Sequence, residues 1–99
     1  MLSSGDDSSR LKGRLRLVRH ARLQIDPITR EAILQSQESV ILLNKTGHEI
    51  LTRCNGTRTL SEIIGELALE YPNAKAKLAI DVSQFVERLG RKGLLEWSQ

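Results

Sequence analysis

From Leu15 to Ile25 apolar and polar residues alternate. Leu15, Leu17, Ala21, Leu23 and Ile25 hold odd-numbered positions, with Arg19 the break in the series. A period of two predicts a half-buried strand, bent near Arg19-His20. Asp26-Pro27-Ile28-Thr29-Arg30 supplies turn chemistry, since Pro pre-sets φ and Asp bonds its own backbone. Ala32-Ile33-Leu34 and Val40-Ile41-Leu42-Leu43 are two further short apolar runs, separated by the polar Gln35 to Glu38. They predict a second and a third strand of a small antiparallel sheet.

Beyond Asn44 the period becomes helical. Asn44 can cap a first helix, with Thr46-x-x-Glu49 as a competing capping box. Gly47, Ile50, Leu51 and Cys54 fall on one face, and Asn55-Gly56 predicts the end of that helix. Thr59-x-x-Glu62 is a second capping box, opening a helix that buries Leu60, Ile63, Ile64, Leu67, Ala68 and Tyr71 and stops at Pro72. A third helix is predicted from about Ala74 to Lys92, with Leu78, Ala79, Val82, Phe85, Val86 and Leu89 on one stripe and Gly93 just past its end. Leu94, Leu95 and Trp97 form a short apolar tail that folds back on the core. The order predicts an α+β, winged helix-turn-helix-like fold: a three-stranded antiparallel sheet followed by three helices.

Composition narrows this outline. The chain has 99 residues, which suits one domain, and only three aromatics, Tyr71, Phe85 and Trp97. The core is therefore expected to be aliphatic. Met1 to Gly13 is rich in Ser, Gly and Asp, so residues 1–14 are read as a disordered N-terminal tail and 15–99 as the domain. Of the fifteen basic residues, Arg10, Lys12, Arg14, Arg16, Arg19 and Arg22 lie within the first 22 positions, and the remainder of the chain is nearly neutral. A nucleic-acid reader concentrates positive charge on its folded surface, so this distribution weakens that class. The single cysteine, Cys54, excludes an internal disulfide, and neither a signal peptide nor a membrane span is visible. These features point to a cytoplasmic protein.

Catalytic chemistry is thin. His20 and His48 have no second ligand or nucleophile at a useful spacing, and Cys54 continues an apolar stripe. The glycines form no phosphate-binding pattern. Glu62, Glu66 and Glu70 recur at every fourth position along a solvated helix face, which does not make a general acid/base pair. Leu69 and Ile80 lie opposite the apolar stripes of their helices and are candidates for a partner contact. No catalytic residue, metal ligand or cofactor is assigned.

Several segments together resemble the PqqD family. They are Arg22-Leu23-Gln24-Ile25-Asp26, Leu42-Leu43-Asn44-x-Thr46, Ile50-Leu51-x-x-Cys54-Asn55-Gly56, Thr59-Leu60-x-Glu62-Ile63, Tyr71-Pro72, and Asp81-Val82-x-x-Phe85-Val86-x-x-Leu89-x-x-x-Gly93. Gln35-Ser36-Gln37-Glu38-Ser39 and Cys54-Asn55-Gly56 depart from the family's Leu-x-Pro-Glu-Gly and Cys-Asp-Gly. The resemblance implies a peptide chaperone of pyrroloquinoline quinone biosynthesis, a recognition element for ribosomally made, later modified peptides. It would bind the precursor peptide PqqA and present it to PqqE, a radical SAM enzyme whose iron–sulfur cluster and S-adenosylmethionine are the partner's own. The peptide would lie as an added strand along Val40, Ile41, Leu42 and Leu43, against Asp81, Val82, Phe85 and Leu89 of the third helix. Around the axis of that helix Phe85 falls at one border of the apolar stripe, and Asp81 and Arg88 lie just beyond it toward solvent. Arg88 therefore joins Asp81 as a candidate contact outside the core. Neither nucleic acid nor membrane is an expected partner, and the chain is expected to be a monomer or a weak homodimer. Two alternatives share the fold: a winged-helix DNA-binding protein using Lys75 and Lys77 at the start of its third helix, and a recognition domain serving another peptide-modifying pathway.

Overall fold

The computed structural model describes residues 13–98. The alternating segment from Leu15 is two strands, not one: β1 (Arg14–Leu17) and β2 (Arg22–Ile25), which belong to different sheets. Between them the chain turns, with the Ala21 N–H donating to the Val18 carbonyl at 3.1 Å. The turn spans four residues, an even number, so the odd-position pattern passes through it undisturbed.

The three predicted strand segments supply one antiparallel sheet, in which β2, β3 (Ala32–Gln35) and β4 (Val40–Leu43) follow one another in order. The Asp26 carboxylate organises the first turn by accepting from the N–H of Ile28 at 2.8 Å and of Thr29 at 3.2 Å. A second sheet places β1 between β5 (Asn55–Thr59) and β6 (Leu95–Ser98). β6 is the expected apolar tail, folded back as a strand that sets Trp97 opposite Leu15 and Glu96 opposite Arg16. β5 replaces the expected helix end at Asn55-Gly56. Gly56 has φ +88° inside this strand, where the pairing with β1 shifts register, as a glycine-bearing bulge requires.

Among the described residues three helices carry the rest: α1 (Lys45–Thr52), α2 (Leu60–Glu70) and α3 (Lys75–Arg91), with a 3₁₀ turn at Pro72–Ala74. Asn44, not the Thr46 box, caps α1, its Oδ1 accepting from the Gly47 N–H at 2.7 Å. Thr59 and Glu62 form the predicted reciprocal box at the start of α2. Gly93 follows α3 with φ +76°, the left-handed conformation expected just past a helix end.

One continuous aliphatic core joins both sheets and all three helices, with Leu15, Leu34, Ile63, Leu67 and Leu89 among its fully buried members. Tyr71, Phe85 and Trp97 sit only partly buried at its margin. The architecture is α+β and winged-helix-like, as the pattern predicted, with a second small sheet added. The N-terminal tail expected over 1–14 falls mostly on residues 1–12, outside those described, while Arg14 pairs with Thr59 and Ser98 within β1.

Candidate functional site

The β4 strand is an edge of its sheet, and the phase of its hydrogen bonds decides what that edge offers. The Ser36 N–H donates to the Ser39 carbonyl at 2.9 Å across the turn from β3. Pairing then runs in unbroken register, Gln35 opposite Val40 through to Ala32 opposite Leu43. Antiparallel pairs alternate between bonded and non-bonded, so Ile41 and Leu43 exchange bonds with β3 while Val40 and Leu42 point their N–H and C=O outward. The opposite side of β3 agrees. There the Asp26 N–H donates to the Glu31 carbonyl at 2.8 Å, which assigns Ile33 and Gln35 to β2 and leaves Ala32 and Leu34 for β4.

Side chains alternate in the same way. Leu43 is buried and Ile41 half-buried toward the core, whereas Val40 is 58% and Leu42 67% exposed. A strand edge with unpaired backbone groups is a template for another extended segment.

Where β4 ends, a groove begins. The Asn44 cap turns the chain into α1, and Gly47 in its first turn leaves room for α3 to approach. A Cβ at Gly47 would stand 3.4 Å from Phe85 Cζ and 3.6 Å from Leu43 Cδ2, so Phe85 and Leu43 meet around this glycine. The resulting cavity of about 450 Å³ lies between α1, the Tyr71–Ala74 corner and α3. Gly47, Ile50, Leu78 and Phe85 make its apolar floor, and Lys77, Asp81 and Arg88 stand at its rim.

The expected site residues therefore divide. Asp81, Phe85 and Arg88 line the groove, and Val40 and Leu42 are exposed on β4, which reaches the groove at its Leu43–Asn44 end. Val82 and Leu89, at 0% and 1% exposure, are core residues that hold α3 in place. Gly47, Thr46, Ile50 and Tyr71 also line the groove and were not singled out as site residues by the sequence, and Lys77, named there only for the DNA-binding alternative, lines it too. Gly47 had shown itself only as a small member of an apolar stripe, with nothing to mark it as the point where two elements close up.

The other candidate chemistry lies elsewhere. Cys54 is buried, its thiol donates to the Ile50 carbonyl at 3.3 Å, and burial pushes its pKa up to about 12. His20 is exposed and His48 half-buried, and no His/Cys/Asp/Glu group among the described residues could hold a metal ion. No described helix is long and apolar enough to cross a membrane. Leu69 and Ile80 are exposed, on faces away from the core.

The family model for coenzyme PQQ synthesis protein D (PqqD) matches residues 31–95, which include β3, β4 and all three helices. This chain belongs to the PqqD family. A family relative from Rhodopseudomonas palustris (strain BisB5), named "PqqA binding protein", is 34% identical over 79 residues, 80% of this chain and 78% of its own length. One of the same name from Xanthomonas euvesicatoria is 34% identical over 74 residues, 75% of this chain and 80% of its own. The fold also matches the solution structure of the PqqD part of Methylobacterium extorquens PqqCD, described as a functional, stand-alone recognition element for ribosomally synthesised, modified peptides. The TM-score is 0.71 at 25% identity, covering 91% of this chain and 98% of that one.

Proposed function

We propose that this chain is a cytoplasmic, non-catalytic recognition element that binds the precursor peptide PqqA and presents it to the radical SAM enzyme PqqE. The observation that carries this reading is an edge strand, β4, that ends at Asn44 in the lining of the apolar groove beside α3. The peptide adds as a strand by bonding the outward N–H and C=O groups of Val40 and Leu42. Its residues opposite Ile41 and Leu43 then turn toward α3, where the floor of Gly47, Ile50, Leu78 and Phe85 takes an apolar side chain. Its residues opposite Val40 and Leu42 stay on the outer face, accessible to the enzyme. Holding a flexible substrate in one orientation raises its effective concentration at the enzyme without any chemistry in this chain. The names of the family relatives support PqqA as the peptide.

The test is calorimetric titration with PqqA, paired with amide exchange. Binding should saturate at equimolar peptide, and the Val40 and Leu42 amides should become protected while those of Ile41 and Leu43, already bonded to β3, change little. Absence of saturable binding would overturn the reading. Presentation is tested by reconstitution: PqqE should modify PqqA in proportion to this protein when it is limiting, and equal modification without it would remove the chaperone role.

A further inference from the structure

The rim of the groove carries charge that no side chain among the described residues pairs with. Lys77, Asp81, Gln84 and Arg88 recur every three or four residues along α3, and all four line the cavity. The side chains of Lys77, Asp81 and Arg88 have no hydrogen-bond or ion-pair partner among the described residues. Some charges elsewhere are tied together. Glu66 accepts from Arg53 at 2.9 Å and from Arg58 at 2.7 Å, Glu70 lies 3.5 Å from Arg53, and Arg16 pairs with Glu96. The α3 row is thus held open: a cation at each end, a carboxylate between them, and an apolar floor alongside.

Resting on the reading of this groove as the peptide site, we propose that it selects a charge pattern: two carboxylates four or six residues apart, on the same face of the strand as the apolar residue between them that takes the floor. The spacing follows from geometry. Lys77 and Arg88 are eleven residues apart on a helix rising about 1.5 Å per residue, a span of roughly 16 Å. An extended peptide rises about 3.3 Å per residue and alternates its faces, so spacings of four or six bracket that span with both side chains toward α3. Lys77 meets one carboxylate and Arg88, with its planar fork, meets the other. Asp81 accepts from an N–H or O–H donor between them and repels a carboxylate placed there. The pattern sets which extended apolar segments are taken and in which register, a role suited to charges at a rim.

The experiment measures fluorescein-labelled PqqA by anisotropy against the wild type, Lys77→Glu and Arg88→Glu, with Arg22→Glu on β2 as a control of equal charge change. Lys77→Glu and Arg88→Glu should each weaken binding by about three- to thirty-fold, with a reduced salt dependence. Circular dichroism should show both folded, and Arg22→Glu should bind within twofold of wild type. PqqA peptides with single acidic residues changed to Lys supply the second arm. One of them should bind Arg88→Glu more tightly than wild-type peptide does. Unchanged affinity in both groove variants, an equal loss in Arg22→Glu, or no rescuing peptide overturns the charge pattern and leaves the peptide site standing. Failure of wild-type protein to bind PqqA removes both.

Discussion

The indole of Trp97 stands against the α-carbon of Gly90, so close that a Cβ on Gly90 would lie 2.6 Å from Trp97 Cη2 and 2.8 Å from Cζ3. This contact seats β6 on the last turns of α3. Helix propensity alone would make Gly90→Ala stabilising by about 0.5–1 kcal/mol. Overpacking costs roughly 1–3 kcal/mol, and half-buried Trp97 can relieve it only by tilting away from β1. The net expectation is a loss of about 1–2 kcal/mol, at roughly 4–8 °C of thermal midpoint per kcal/mol. Trp97 is the single tryptophan, so its emission should shift to the red in the same variant. An unchanged midpoint and spectrum would show that the contact is not tight.

Proline substitutions separate the two sides of β4. Ile41→Pro removes an N–H bonded to β3 and strands a carbonyl, a cost of about 1–3 kcal/mol before steric strain. Leu42→Pro removes an N–H that faces outward, where an edge strand tolerates proline. Thermal melts should show Ile41→Pro strongly destabilised and Leu42→Pro folded, while calorimetry shows Leu42→Pro binding PqqA about tenfold more weakly or worse. Leu42→Pro as the more destabilised of the two would mean that the hydrogen-bond phase is reversed.

Cys54 should be chemically silent. Its thiol stays protonated near neutrality because burial raises its pKa to about 12, and only the thiolate reacts readily. A disulfide exchange reagent at pH 8 should label the native protein slowly, at a rate set by opening of the fold, and label it at once in denaturant. Rapid native labelling would show that the thiol is accessible.

Glu66 predicts a pH dependence of opposite character to that of a buried acid. Hydrogen bonds from Arg58 and then Arg53 hold its carboxyl below the usual carboxylate range. A group depressed in the folded state contributes its stability above its unfolded pKa and loses it as pH falls through the folded value. Glu66→Gln should therefore lower the thermal midpoint by a constant amount from neutrality down to about pH 5, with the gap closing below that. A gap that persists at pH 3 would point to packing as the cause. The pairs are exposed, so the effect should be small.

The sequence carried most of the fold because periodicity and capping agreed at each element. The stripe of Leu78, Val82, Val86 and Leu89, the Thr59/Glu62 box and Gly93 each placed a helix within a residue or two. It failed where backbone bonding alone makes a strand. Asn55-Gly56-Thr57-Arg58-Thr59 has no apolar alternation, yet it pairs with β1 because the chain leaving α1 passes beside it. In the site, helical angles put Phe85, Asp81 and Arg88 on one side of α3, and the structure has all three lining the groove, while Val82 and Leu89 lie buried in the core. Lys77 was named only for DNA contact, because its place in the groove depends on the Tyr71–Ala74 corner folding close to α1, a tertiary fact that no local pattern records.

The open edge of β4 also has a price outside recognition. Val40-Ile41-Leu42-Leu43 has neither the charge nor the proline with which edge strands discourage self-pairing, and two of its four side chains lie largely in solvent. The empty protein is thus its own competitor: at high concentration, copies can pair edge to edge and precipitate. A peptide seated there shields the edge, so producing the protein together with its peptide should raise the soluble yield, and the ligand becomes a solubiliser of its own carrier.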